Sequence, residues 1–263
     1  MEQQEPITPK KKAKKSTNQL TLAIIFATLL ISGSLLFVGF KLTNLTEQRI
    51  GELVETTINK LIQEQSEQNQ PIVEIDANEI TPKISKADHI YGPEKAEITI
   101  IEYSDYRCPY CAKFHETGKQ LVANYDDKVN WAFRHFPIPS HEYAFETAVA
   151  SECIADLTKS PNNFWRFTDI IFQEKFGATA EDVKTIATTE FKLEGDEFDK
   201  CLESKKFQTK VQKQYESGRT NKVGSTPGIF VINNETQKGY HVRGALPLEQ
   251  FNQIIDLLLE TNE

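Results

Sequence analysis

The chain has few cysteines and a deficit of positive charge. Its 263 residues include 4 Cys, and 30 Lys and Arg against 38 Asp and Glu give a net charge of −8. This balance argues against a nucleic-acid binder that works through a basic surface. Four Cys are too few for a disulfide-dense small scaffold. No internal repeat is visible, and 39% hydrophobic residues exclude wholesale disorder.

The N-terminal region predicts a membrane anchor. Residues 20–40 carry no charge and are rich in Leu, Ile and Phe, and a helix of this length spans a hydrocarbon core of about 30 Å. The two alternatives fit less well, because a cleaved signal peptide needs an Ala-x-Ala exit and a core helix needs a polar face. The lysine-rich tail, residues 1–19, predicts a cytoplasmic N-terminus. Residues 41–263 are therefore expected outside the cell membrane, in the periplasm or at the outer surface, where disulfides persist.

Residues 41–87 are predicted to be a polar stalk between the anchor and a folded domain at 88–263. Apolar residues recur at helical spacing over residues 50–62, which indicates a short amphipathic helix. This stripe either belongs to the stalk alone or supports a weak homodimer. A Gln-rich stretch, 63–69, then predicts a flexible linker.

From residue 88 the pattern predicts an α/β domain. Four segments rich in β-branched and aromatic residues predict strands: 97–103, 129–136, 229–233 and 239–243. A helix between the first two makes them a parallel pair, and the last two are close enough for a hairpin. Helical periodicity predicts an all-helical insertion at about 139–221, and a last amphipathic helix near Leu248.

Cys108-Pro109-Tyr110-Cys111 stands where an apolar strand ends and a helix begins, with Pro109 suited to the first helical position. A thiol at a helix N-terminus meets unpaired N–H groups and the positive end of the dipole, which favour the thiolate. We expect an exposed Cys108 to attack disulfides and a recessed Cys111, one turn on, to resolve them. An inert bridge is one alternative. A zinc site is another, although the chain has no second CxxC and no HxxxH.

At these residues the chain resembles the membrane-anchored DsbA-like thiol:disulfide oxidoreductases of the thioredoxin-fold family. Three segments carry the resemblance: 98–114 with the CxxC motif, 133–138, and 224–227 followed by the strand 229–233. CPYC alone also occurs in glutaredoxins and disulfide isomerases, whereas the ordered combination is specific. The resemblance covers about residues 88–260 and implies a thioredoxin-like fold.

The resemblance also implies a substrate-binding surface. It predicts a cis peptide bond between Thr226 and Pro227, beside the CxxC motif. The backbone edge at Thr226 would then hold an extended substrate by strand addition. Pro109 and Tyr110 are expected to complete this surface.

Glu102, six residues before Cys108, is where the family keeps a buried acid that takes the proton from Cys111. A solvent-facing Glu is the alternative, and Asp105 is a second acid but more typical of a loop.

Tyr110 replaces the His of the strongest oxidants, which predicts a less stabilised Cys108 thiolate, whereas the cation of Arg107 predicts the opposite.

Cys153 and Cys201, both in the predicted insertion, are expected to form a structural disulfide in an oxidising compartment. Free buried thiols or a second redox relay are the alternatives. His115 is expected on the surface of its helix. His135 and His141 are interpreted as structural.

The predicted function is a thiol:disulfide oxidoreductase that introduces disulfides into extracytoplasmic thiol-containing proteins. A quinone-linked membrane protein is the expected reoxidising partner, as the resemblance implies, and no cofactor, metal or nucleic acid is expected. A disulfide isomerase or reductase would use the same residues. A non-enzymatic, metal-handling thioredoxin-like module is the third possibility.

Overall fold

The computed structural model describes residues 55–58, 60, 70–76 and 82–260. The chain divides into two compact units, residues 1–66 and 67–263. In the first unit, residues 55–58 and 60 are helical, and the side chain of Ile58 is exposed. The predicted anchor, 20–40, and the rest of the apolar stripe at 50–62 lie outside the described residues. Among the residues described, no helix combines the length and the apolar character that crossing a bilayer requires.

The second unit contains a six-stranded sheet. Its strands are β1 (Ile72–Asp76), β2 (His89–Tyr91), β3 (Ile98–Ser104), β4 (Val129–His135), β5 (Gly228–Asn233) and β6 (Lys238–Arg243). They lie in the order β1-β6-β5-β3-β4-β2. The β3–β4 pair is parallel, and the other four pairs are antiparallel. β3 is buried along its whole length because it lies at the centre of the sheet.

Helices cover the sheet and form the insertion. They are α1 (Pro109–Asn124), α2 (Ala144–Thr158), α3 (Pro161–Asp169), α4 (Ala180–Thr189), α5 (Gly195–Glu203), α6 (Lys205–Thr220) and α7 (Leu248–Glu260), with a π-helical turn, Ile170–Glu174, after α3. Helices α1 and α7 contact each other and the sheet. The insertion, α2 to α6, lies between β4 and β5 as predicted. The parallel pair and the hairpin are also confirmed.

The predicted start of the folded domain at residue 88 is too late. Residues 72–76, predicted as stalk, form β1, which pairs with β6 so that Ile72 lies opposite Val242. The segment before β2 is also fixed, because the buried Arg134 guanidinium donates to both carboxylate oxygens of Asp88 and to the Lys83 carbonyl. β1 is hard to predict from the sequence because it is only five residues long and follows a polar, Gln-rich segment. Its partner, β6, also lies near the other end of the chain.

A disulfide and a buried ionic network hold the insertion together. Cys153 on α2 is bonded to Cys201 on α5, with the two Cα atoms 5.8 Å apart. Next to Cys153, the buried carboxylate of Glu152 contacts the side chains of His89, His135 and Lys210 at 2.7–3.0 Å. His135, interpreted from the sequence as structural, thus connects the sheet to α2.

Candidate active site

The CxxC motif connects the centre of the sheet to helix α1. Cys108 is the N-cap residue of α1, and Pro109 begins the helix as predicted. Cys111 is completely buried, whereas Cys108 retains 5% of its accessible surface. Cys108 is therefore less exposed than the sequence predicts, because the loop before β5 lies against it.

That loop contains a cis peptide bond between Thr226 and Pro227. Antiparallel pairing of β3 with β5 places Tyr103 opposite Gly228, so the loop lies beside the CxxC motif. The Cys108 Sγ atom is 3.3 Å from the Thr226 carbonyl oxygen. Thr226 and Pro227 are buried, whereas Pro109 is exposed and Tyr110 has 62% of its surface exposed. The structure thus brings the residues predicted to bind substrate together around Cys108.

The surroundings of Cys108 lower the pKa of its thiol from 9.0 to about 5. The Cys111 side chain contributes most, by hydrogen bonding to the thiolate, and partial burial opposes it. The Thr226 side chain and the backbone N–H groups of Cys111 and Tyr110 stabilise the thiolate further. Arg107 is not among these main causes. Its guanidinium instead donates to the Ala178 carbonyl in the insertion.

Cys108 should be alkylated by iodoacetamide well below the pH at which a free cysteine reacts. The reactive species is the thiolate, and the pKa of Cys108 is lowered to about 5. The rate constant of the reduced protein should therefore rise with a midpoint near pH 5 and be almost level by pH 7. A midpoint near 8.5, the value of a free cysteine, would show that the Cys111 side chain and the helix N-terminus do not stabilise the Cys108 thiolate.

Cys111 behaves in the opposite way. Burial raises its pKa well above 9.0, and the charges of Cys108 and Glu102 raise it further. The backbone N–H of Asp105 points at its sulfur, with an N···S distance of 3.4 Å. Cys111 thus stays protonated at neutral pH while Cys108 is ionised, which matches the predicted division between a resolving and an attacking thiol.

Glu102 lies on β3 and is completely buried, as the family resemblance implies. Burial raises its pKa from 4.5 to about 8, and the polar groups of Ser104 and Trp131 offset part of this rise. The carboxyl group makes no hydrogen bond of ordinary geometry to any residue in the described part of the chain. A carboxyl group with this pKa exchanges a proton readily near neutral pH.

In the reduced protein, with Cys108 and Cys111 as free thiols, replacing Glu102 by Gln should remove a pH dependence of stability. The folded state keeps a proton up to a pKa of about 8, which the unfolded state releases near 4.5, so stability falls as the pH rises between these values. Between pH 4.5 and pH 7 the unchanged protein should lose about 3 kcal/mol more unfolding free energy than the variant. Urea unfolding at both pH values measures the difference. Equal losses would show that Glu102 is not buried as a neutral acid.

Asp105 and His115 are both held by hydrogen bonds to other parts of the domain. Asp105 is a buried loop acid, as expected, and accepts hydrogen bonds from the backbone of Arg107 and Ile138 and contacts His141 Nδ1 at 2.8 Å. The expectation that His115 lies on the surface is wrong. It is completely buried, and its Nε2 atom is 2.6 Å from Asp169 Oδ1, because the end of α3 covers this face of α1.

The disulfide between Cys153 and Cys201 separates the four cysteines into two pairs. A four-cysteine metal site is therefore excluded while this bond is intact. In the part of the chain that the structure describes, no group of three or more His, Cys, Asp or Glu side chains is arranged to hold a metal ion.

The fold and the site are similar to those of DsbA-like protein disulfide oxidoreductases. The chain belongs to the thioredoxin family, whose model matches residues 84–257. Among solved structures, Pseudomonas aeruginosa DsbA2 is 25% identical, with a TM-score of 0.56, covering 67% of this chain and 97% of that one. Oxidised Bacillus subtilis BdbD, 19% identical, shares the fold with a TM-score of 0.57 over 69% of this chain and 98% of its own.

Two curated relatives show what the chain is similar to. A Rickettsia prowazekii protein that bears the provisional name of protein-disulfide oxidoreductase is 28% identical over 185 residues, which is 67% of this chain and 65% of the relative. A Na(+)/H(+) antiporter NhaA of Herminiimonas arsenicoxydans is 30% identical over 164 residues, or 62% of this chain. The chain spans about a quarter of the length of such antiporters, so their name assigns no activity to it.

Proposed function

We propose that this protein introduces disulfide bonds into proteins outside the cytoplasm, with Cys108 and Cys111 as its redox-active pair. The observation that carries the proposal is Cys108 at the N-terminus of α1, with its pKa lowered to about 5, beside the Thr226 carbonyl. Stabilising the Cys108 thiolate stabilises the reduced protein relative to the disulfide. A pair whose reduced form is stabilised is a strong oxidant.

The reaction begins with the pair oxidised. A substrate thiolate attacks the Cys108 sulfur, the Cys108–Cys111 bond breaks, and Cys111 leaves and takes up a proton supplied by Glu102. A second substrate thiolate then attacks the substrate sulfur of the mixed disulfide, and Cys108 leaves as a thiolate. The substrate binds in extended form along Thr226 and Pro227, and the exposed Tyr110 side chain contacts it.

The reduced pair is reoxidised by a quinone-linked membrane protein in this proposal. Support comes from the family resemblance and from the apolar run at 20–40, preceded by a basic tail at 1–19. An anchor in the same membrane raises the effective concentration of that partner. The stalk, shortened by the extent of β1, then comprises residues 41–71, and the stripe at 50–62 is the proposed contact for a weak homodimer.

The redox potential of the pair tests the proposal against its alternatives. The full-length chain in detergent is equilibrated in redox buffers of graded potential, and its thiols are then tagged with a maleimide that increases the mass. Titration near about −120 mV supports an oxidase, titration near about −180 mV indicates an isomerase, and titration near about −270 mV indicates a reductase. Metal that survives purification, without any titration of the thiols, would indicate a metal-handling module.

A second assay tests whether the protein oxidises substrate thiols or reduces substrate disulfides. Oxidised protein is added to a reduced, multi-disulfide protein, and recovery of native substrate is followed without another oxidant. One substrate disulfide should form for each active site that is reduced. No substrate oxidation by fully oxidised protein would overturn the proposal.

A further inference from the structure

A buried serine lies at the end of β3 beside the resolving thiol. Ser104 follows Glu102 by two positions, so the two side chains point to the same face of the strand. Both side chains are buried. The next residue, Asp105, donates its backbone N–H to the Cys111 sulfur, which places Cys111 at this end of the strand.

The Ser104 hydroxyl is not committed to another acceptor. Within the described ranges, its Oγ atom has no hydrogen-bond partner of ordinary geometry, and neither do the two oxygens of Glu102. Buried serine hydroxyls are usually held by a partner. Ser151, also fully buried, is an example, since its hydroxyl donates to the Ala148 carbonyl in its own helix at 2.8 Å.

Electrostatics place the Ser104 hydroxyl within reach of both neighbours. It lowers the pKa of Glu102 and that of Cys111 through polar contacts with each side chain. Neither contact meets the distance and angle of an ordinary hydrogen bond. The Ser104 hydroxyl therefore acts on both groups and is hydrogen-bonded to neither of them.

We propose that the Ser104 hydroxyl passes the proton between Cys111 and Glu102, because it shares a strand face with Glu102, stands at the strand end that contacts Cys111, and has no hydrogen-bond partner among the described residues. A hydroxyl has one donor hydrogen and two acceptor lone pairs, so it can accept from a thiol and donate to a carboxylate at the same time. This inference rests on the proposed function, and it adds a relay residue that the sequence motif does not reveal.

The step balances in both directions. When the reduced protein resolves a mixed disulfide, the Cys111 S–H proton passes to the Ser104 oxygen as the Ser104 proton passes to the Glu102 carboxylate. The Cys111 thiolate then attacks the Cys108 sulfur, and the bound thiol leaves as a thiolate. During substrate oxidation the proton moves back, from the Glu102 carboxyl through Ser104 to the departing Cys111 thiolate.

A single-turnover experiment isolates this step. Reduced full-length protein is mixed with glutathione disulfide, which forms a Cys108–glutathione mixed disulfide and one glutathione thiolate. Attack by Cys111 then releases the second glutathione and forms the Cys108–Cys111 bond. Rapid acid quenching followed by mass spectrometry gives the rate constant for decay of the mixed disulfide at each pH.

Ser104→Ala should slow this decay about tenfold at pH 7, the rate change that corresponds to one pKa unit of the attacking thiol. In the unchanged protein the rate should level off above a pH of about 8, where Glu102 is ionised. In the variant it should keep rising with pH, because solvent must remove the proton. Ser151→Ala, the same chemical change at another buried serine, should leave the profile unchanged.

A double-mutant cycle separates a relay from a packing effect. If Ser104 and Glu102 act in series, adding Ser104→Ala to Glu102→Gln should cost little beyond Glu102→Gln alone. Losses that multiply, or a Ser104→Ala rate within about twofold of the unchanged protein at every pH, would overturn the proposal. Ser104→Gly removes the same hydroxyl without the methyl group and serves if the Ala variant is unstable. If the unchanged protein formed no mixed disulfide, the proposed function itself would fail.

Discussion

Replacing Cys108 by Ser should abolish disulfide exchange, and replacing Cys111 by Ser should leave substrates covalently attached to the protein. Cys108 carries the thiolate that forms the mixed disulfide, and its loss should lower the oxidation rate by about a thousandfold or more. Cys111, fully buried at the next turn of α1, is the group that would release a trapped partner. Without it the Cys108 mixed disulfide has no internal route of resolution.

Gel mobility before and after reduction measures both effects. The Cys111→Ser variant, incubated with a protein that contains thiols and disulfides, should show bands that disappear with dithiothreitol. The Cys108→Ser variant should show none. A Cys153→Ala, Cys201→Ala double variant is the matched control, because it removes two cysteines and keeps the redox pair. Trapping through Cys111 in the Cys108→Ser variant would reverse the assigned roles.

Removing the second cysteine pair should cost stability and leave the chemistry intact. The Cys153–Cys201 bond joins residues 48 positions apart and links α2 to α5. The chain-entropy estimate for a loop of this size is about 4 kcal/mol. The Cys153→Ala, Cys201→Ala variant should therefore unfold at lower urea concentration, with the same redox potential for Cys108 and Cys111.

Urea unfolding with the active-site pair oxidised in both proteins isolates the effect. The Glu152 network lies next to Cys153, and we expect it to keep the insertion folded when the bond is absent. A change in unfolding free energy below about 1 kcal/mol would show that the insertion does not depend on the bond. Loss of turnover in a stably folded variant would instead identify the second pair as a redox relay.

Local features of this protein can be predicted from its sequence, whereas the pairing of strands that are far apart in the sequence cannot. The start of α1 is predictable because Pro109, which suits the first helical position, stands shortly after the end of the apolar strand β3. The position of Thr226 beside Cys108 depends on pairing between β3 and β5, which no local pattern encodes, and only the family resemblance supplied it. β1 escaped prediction for the same reason, since its partner β6 lies more than 160 residues away.

Individual side chains show the same limit. Arg107 is adjacent to Cys108 in sequence, but its direction is set by the Ala178 carbonyl in the insertion. His115 is expected at the surface because a lone helix His usually lies there, but the end of α3 buries it, and Asp169 faces it. Ser104 is unremarkable in the motif, because its importance depends on which groups around it lack partners.

The unequal burial of Cys153 and Cys201 affects how well their disulfide resists thiol–disulfide exchange. In an enzyme that reacts with thiolates, every other disulfide is also open to attack by them. Cys153 is fully enclosed, and only Cys201 lies near the surface. An incoming thiolate that reaches Cys201 must expel the Cys153 sulfur into an apolar interior, where a negative charge is poorly tolerated. The Cys153–Cys201 disulfide is thereby protected from the exchange reactions at Cys108. One polypeptide can thus keep a permanent disulfide beside one that is repeatedly oxidised and reduced.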